Sequence, residues 1–71
     1  MQEDDQVDPQ DPRLNSSPKS AREEAEQAEA MGLAARECYW NDKKYSDGAT
    51  VCDSGQRYKC WSGRWVDIGN C

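Results

Sequence analysis

Seventy-one residues allow one small domain, and the 35% apolar content is spread unevenly, because all four cysteines, all three tryptophans and all three tyrosines fall after residue 37. The net charge of −5 is equally lopsided: residues 1–37 hold ten acids against four bases, and residues 38–71 hold four acids against five bases. That balance argues against nucleic acid as a partner, which needs a cationic face, and no stretch approaches the ~18 apolar residues that suggest a membrane span.

In chain order, residues 1–17 combine acids, Gln, Ser and two prolines with almost nothing to bury, and are expected to form a disordered acidic tail. The opening Met1-Gln2-Glu3-Asp4-Asp5 is the opposite of a basic, apolar signal sequence. Because the four cysteines after residue 37 ask for an oxidising compartment, Met1 is expected to be a start placed on a mature chain from which a signal peptide has been removed. Residues 18–37 carry helix signals. Ser17 before Pro18 offers a cap with proline at the first helical position, and Ser20 with Glu23 forms an S-x-x-E capping box. A helix from Pro18 or Ala21 to Ala35 is expected, with Arg22 and Glu26 spaced as an i,i+4 pair and Gly32 weakening the last turns. Its stripe of Ala21, Ala25, Ala28, Met31 and Ala35 is shallow, which reads as a solvated helical linker.

After Glu37 the composition switches to aromatic and β-branched residues punctuated by turn signals. Strands are expected at Cys38–Trp40, Lys44–Tyr45, Ala49–Cys52, Gln56–Trp61 and Arg64–Ile68. Turns fall at Asn41-Asp42, Ser46-Asp47-Gly48, Ser54-Gly55, Ser62-Gly63 and Gly69-Asn70, each with Gly or Asn where a positive φ is needed. The fold class is a small disulfide-rich β module over residues 38–71, an antiparallel meander of short strands preceded by the tail and one helix.

Four cysteines at 38, 52, 60 and 71 leave gaps of thirteen, seven and ten residues. Structural zinc sites use close pairs such as C-x-x-C, because two ligands from one knuckle set the tetrahedral angle, and the chain has no His. Disulfides in an oxidising compartment, periplasmic or secreted, are the expectation. If Ser54-Gly55 closes a two-residue hairpin, Val51 lies opposite Tyr58, Ala49 opposite Cys60 and Cys52 opposite Arg57, so Cys52 and Cys60 point to opposite faces. A second hairpin at Ser62-Gly63 sets Trp65 beside Cys60 and Ile68 beside Arg57, returning Cys71 toward Cys52. This register favours Cys38 with Cys60 and Cys52 with Cys71 over the sequential pairing, each bridge contributing ~3 kcal/mol in the loop-entropy model.

The same register places Val51, Tyr58 and Trp65 on a core face, and Trp61 on the other with Arg57, Lys59, Val66 and Ile68. So small a core leaves at least one of Trp40, Trp61 and Trp65 partly exposed. The stretch from Tyr45 to Tyr58 has the form Y-x-x-G-x-x-V-x-x-x-G-x-x-Y, with Trp40 upstream and Trp61 downstream. It resembles the central hairpin of small bacterial chitin- and cellulose-binding modules, where Gly turns the chain and nearby tryptophans stack on sugars. The four-cysteine segment is also similar to short domains of exported bacterial proteins and, more distantly, to von Willebrand type C modules.

Without His, Ser-His and Cys-His nucleophiles are absent, and Asp42, Asp47 and Asp53 sit at turns where Asp hydrogen-bonds backbone amides. No catalytic residue, metal ligand or cofactor site is expected. The leading expectation is a non-enzymatic interaction module that meets a protein partner through Trp61, Arg57 and Lys59. Binding of a polysaccharide through Trp40, Trp61 and Tyr45 is the second reading, and a cysteine-rich inhibitor or effector the third.

Overall fold

The computed structural model describes residues 4–32 and 37–71. Among the described residues, seven strands and one helix follow in chain order: β1 (Asp5–Gln6), β2 (Lys19–Ser20), α1 (Arg22–Ala30), β3 (Glu37–Trp40), β4 (Lys43–Ser46), β5 (Thr50–Asp53), β6 (Gln56–Trp61) and β7 (Arg64–Asn70). Two sheets result, a five-stranded one ordered β1-β5-β6-β7-β2 and the β3-β4 hairpin.

The hairpins come from turn chemistry. Ser54-Gly55 and Ser62-Gly63 adopt positive φ at both residues (54° and 82°, 55° and 75°), the two-residue geometry whose twist matches that of the flanking strands. The register follows: Val51 faces Tyr58, Cys52 faces Arg57 and Cys60 faces Trp65. Asn41 and Asp42 close the β3-β4 hairpin in the same way, at φ 49° and 69°.

One register expectation is corrected. Ile68 does not face Arg57, because the pairing shifts between Arg57 and Tyr58 and brings Gly69 opposite Arg57. Ile68 is the extra residue of a bulge, and Gly69 at φ 119° supplies the backbone it requires. The Asp67 carboxylate accepts from the Gly69 amide (2.9 Å) and from Gln56 Nε2 (2.6 Å), which holds the bulge. The expected Gly69-Asn70 turn is therefore the end of β7.

Every strand pairing within residues 37–71 is antiparallel, but the larger sheet as a whole is not. Both outer strands of the larger sheet run parallel to their neighbours, β1 along β5 and β2 along β7, so the sheet is mixed. Both come from the segment expected to be a disordered tail or the start of a helix. Three bonds explain the difference at its two ends: the Val7 amide donates to the Cys52 carbonyl (3.0 Å), the Trp65 amide to the Pro18 carbonyl (2.9 Å) and the Ser17 amide to the Tyr39 carbonyl (2.8 Å). Open sheet edges offer unpaired backbone groups, and residues 4–20 satisfy them although the segment has little to bury.

The helix is shorter than expected. Its N-cap is Ala21, which makes no side-chain cap bond, and Ser20 lies in β2 with its hydroxyl buried and unpartnered among the described residues. The capping box is thus not used, and Ser17 Oγ instead accepts from the Tyr39 amide (2.9 Å). The expected end at Ala35 lies outside the described residues.

The core sits between the two sheets. Cys38, Trp40 and Tyr45 from the β3-β4 hairpin meet Val51, Cys60 and Trp65 from the larger sheet, with Val7, Ala49 and Tyr58 at its margin. Trp65 takes Trp40 and Tyr45 edge-on, with both centroid distances 5.5 Å. Each buried indole N–H finds a carbonyl, Trp65 on Tyr39 (2.9 Å) and Trp40 on Asp8 (2.7 Å). Cys38 is bonded to Cys60 across the sheets, and Cys52 to Cys71, the pairing the register favours.

Candidate interaction surface

Alternation along β6 and β7 sorts side chains onto two faces of the larger sheet. Tyr58, Cys60 and Trp65 point to the core. Arg57, Lys59 and Trp61 of β6, with Arg64 and Val66 of β7, share the opposite face because Trp61 pairs with Arg64 and Lys59 with Val66. This face carries three bases and no acid from these two strands.

The acidic N-terminal half lies across that face. Asp4 Oδ2 accepts from Arg57 Nε at 2.7 Å, and Asp4 also accepts from the Thr50 hydroxyl. Helix α1 packs against β7, with Ala25 fully buried, and its acids reach down: Glu29 accepts from the Trp61 indole N–H (2.7 Å), and Glu24 pairs with Arg64 (3.5 Å). Trp61 itself is partly buried, with two cations near its ring, Lys59 Nζ at 5.2 Å and Arg22 Cζ at 6.0 Å from the ring centre. Such contacts contribute roughly 0.5–1 kcal/mol each at exposed sites. Val66, on the same face, is 1% exposed.

The Asp4 carboxyl is held below its usual 3.8, first by the Thr50 hydroxyl, against desolvation, and then by Arg57. Asp5 is likewise lowered by hydrogen bonds from Lys43 and then Tyr45, at 2.9 and 3.0 Å. Burial, followed by the Asp5 carboxylate, pushes the Tyr45 hydroxyl up. Asp5, Tyr45 and Thr50 help to line an open groove of about 580 Å³ whose other lining residues are 46–49.

Of the residues expected to bind, the structure brings Trp61, Arg57 and Lys59 together and removes two others. Trp40 is 2% exposed and Tyr45 9%, both packed in the intersheet core. The reason is shape: a core this small is filled by its largest rings, and the β3-β4 hairpin has Trp40 and Tyr45 on its inward face. Sequence reasoning missed Arg22, Arg64, Glu24 and Glu29, which join the surface from a distant helix and the far side of a hairpin. The signal that could have found them is the charge imbalance itself, an acidic half beside a module with more bases than acids. Among the described residues no three His, Cys, Asp or Glu side chains converge as metal ligands, and no helix is long and apolar enough to cross a membrane. No protein-family model, curated protein or solved structure matches this chain.

Proposed function

We propose that this chain is a non-enzymatic protein-interaction module of an oxidising compartment, periplasmic or secreted, that engages a protein partner through Trp61 with Lys59 and Arg57 beside it. The observation that carries this reading is the fate of the three indoles. Trp40 and Trp65 are consumed by the core, whereas Trp61 stays on a sheet face among cations. Trp and Arg are enriched at the energetic centres of protein interfaces, and Trp61 shares its sheet face with Arg57. Burial of Trp40 and Tyr45 takes away two of the three rings on which sugar stacking would depend, so the protein reading is the stronger. Two disulfides with no free cysteine support the compartment.

The test is crosslinking of the disulfide-intact chain in the native exported fraction, wild type beside Trp61→Ala and Lys59→Glu. Specific adducts in wild type, reduced at least about tenfold in Trp61→Ala, are expected, since a central interface Trp contributes ≥ ~2 kcal/mol. Adducts indifferent to both substitutions would refute the reading. Trp61-dependent retention on chitin or cellulose, without protein adducts, would transfer the site to polysaccharide.

A further inference from the structure

Helix α1 sits on the proposed surface in a way its own stability does not explain. Nine residues is below the ~12–15 at which an isolated helix becomes marginally stable. The N-cap side chain makes no bond, and no base lies in the last turn. Glu29 stands at the C-terminal end, where the helix dipole disfavours a carboxylate, yet there it accepts from the Trp61 indole at 2.7 Å. The helix is thus held by what lies beneath it: a buried Ala25, the Glu29–Trp61 bond and the half-exposed Glu24–Arg64 pair. None of these is covalent, since both disulfides lie within residues 38–71. Without α1, the sheet would present Val66 and Trp61 flanked by Lys59 and Arg64, an apolar centre with a basic rim.

We propose that α1 is an internal stand-in for the partner, and that the partner presents an acidic helix with carboxylates five residues apart and a small residue next to the first, as Glu24, Ala25 and Glu29 are. This rests on the protein-interaction reading above and specifies its partner class. Charge complementarity supports it, because two of the three bases of this face are met by acids from elsewhere in the chain, Asp4 on Arg57 and Glu24 on Arg64, while Glu29 takes the indole N–H of Trp61 beside Lys59. A tethered cover lowers the apparent affinity for any competitor by the fraction of time the face is open. The face is therefore self-restrained, and a partner must displace α1 to reach it.

The experiment uses the full, oxidised chain and a fluorescein-labelled peptide with the sequence of residues 20–32 as probe, read by anisotropy. Ala25→Asp puts a charge where the helix is fully buried, lifting α1 while leaving the sheet residues and both bridges unchanged. The probe should bind this variant at least about tenfold more tightly than wild type. Adding Lys59→Glu and Arg64→Glu should abolish the gain, and a probe with Gln for Glu24 and Glu29 should bind at least about tenfold more weakly. A double variant, Glu24→Gln with Glu29→Gln in the chain, frees the face without a buried charge and replaces Ala25→Asp if near-ultraviolet dichroism shows that chain unfolded. Equal or no binding by wild type and the opened chain overturns the proposal, as does equal binding of the acidic and Gln probes. Trp61-dependent crosslinks alongside such a failure would leave the interaction reading standing without its cover. Probe binding without crosslinks would do the reverse.

Discussion

Asn41 shows how much one side chain can organise. Its φ of 49° closes the β3-β4 hairpin, a conformation Asn tolerates better than most residues. Its amide group then works outward: Oδ1 accepts from the Asp11 amide (2.8 Å) and Nδ2 donates to the Pro9 carbonyl (3.1 Å), while its backbone amide donates to Ser16 Oγ (2.9 Å). Asn41→Gly retains access to positive φ and deletes the two side-chain bonds, so it separates the turn from the tether. A loss of about 1–2 kcal/mol is expected in urea unfolding of the oxidised protein. Hydrogen exchange should quicken at Asp11 while the Cys60 amide, bonded to the Ala49 carbonyl, keeps its protection. Equal quickening at both would show that the N-terminal segment and the module open as one. That Asn41 marks a turn is legible in sequence; its bonds to residues 9 and 11 are not, since nothing local specifies a contact across thirty positions.

Among the elements, the two disulfides have different surroundings despite similar loops of 22 and 19 residues. Cys38 and Cys60 are both wholly buried and join the two sheets, whereas Cys71 is exposed at the end of β7 and Cys52 is nearly buried. A dithiol reductant must reach a sulfur, so Cys52–Cys71 should open first and Cys38–Cys60 only on global unfolding, as timed alkylation and peptide mapping would report. Simultaneous loss of both would contradict this order. By the loop-entropy model each bridge stabilises by ~3 kcal/mol, and replacing Cys38 and Cys60 by Ser should cost more than replacing Cys52 and Cys71, because it also leaves polar groups in the intersheet core. Denaturant midpoints of the two double variants decide it. The β6-β7 pairing that aims Cys71 at Cys52 was readable from Ser62-Gly63, but the bulge at Ile68 was not: it follows from Asp67, Gln56 and Gly69 meeting across two strands.

At the scale of the whole molecule, an acidic half is laid over a module that carries the bases. Asp4 and Asp5 hold the start of the chain to Arg57 and Thr50 and to Lys43 and Tyr45. Their carboxyls titrate below the ordinary 3.8 in the folded chain. The stabilisation they provide is therefore complete above that value and is lost as pH falls below it through the folded-state values. Acidification below about pH 4 should detach β1 first, seen as shifts of the Val7 and Thr50 amide resonances ahead of those in β6 and β7. Asp4→Asn with Asp5→Asn should remove that early step; an unchanged acid profile in the double variant would show that other carboxylates hold the segment.

Local chemistry in the sequence determined the five strands of residues 38–71, the hairpin register and, through it, the side of the sheet on which Trp61, Arg57 and Lys59 stand, because period-two alternation and two-residue turns are properties of neighbouring residues. Where the acidic half goes was decided only in three dimensions. The segment of residues 4–20 has no periodicity of its own; Asp5–Gln6 and Lys19–Ser20 become short strands by pairing with edges that the module leaves open, and α1 is docked by a buried alanine and two carboxylates rather than by its own propensity. The same assembly chose which aromatic rings fill the space between two sheets, and so put Trp40 and Tyr45 inside. Such choices depend on which distant surfaces fit, and no window of sequence contains both partners.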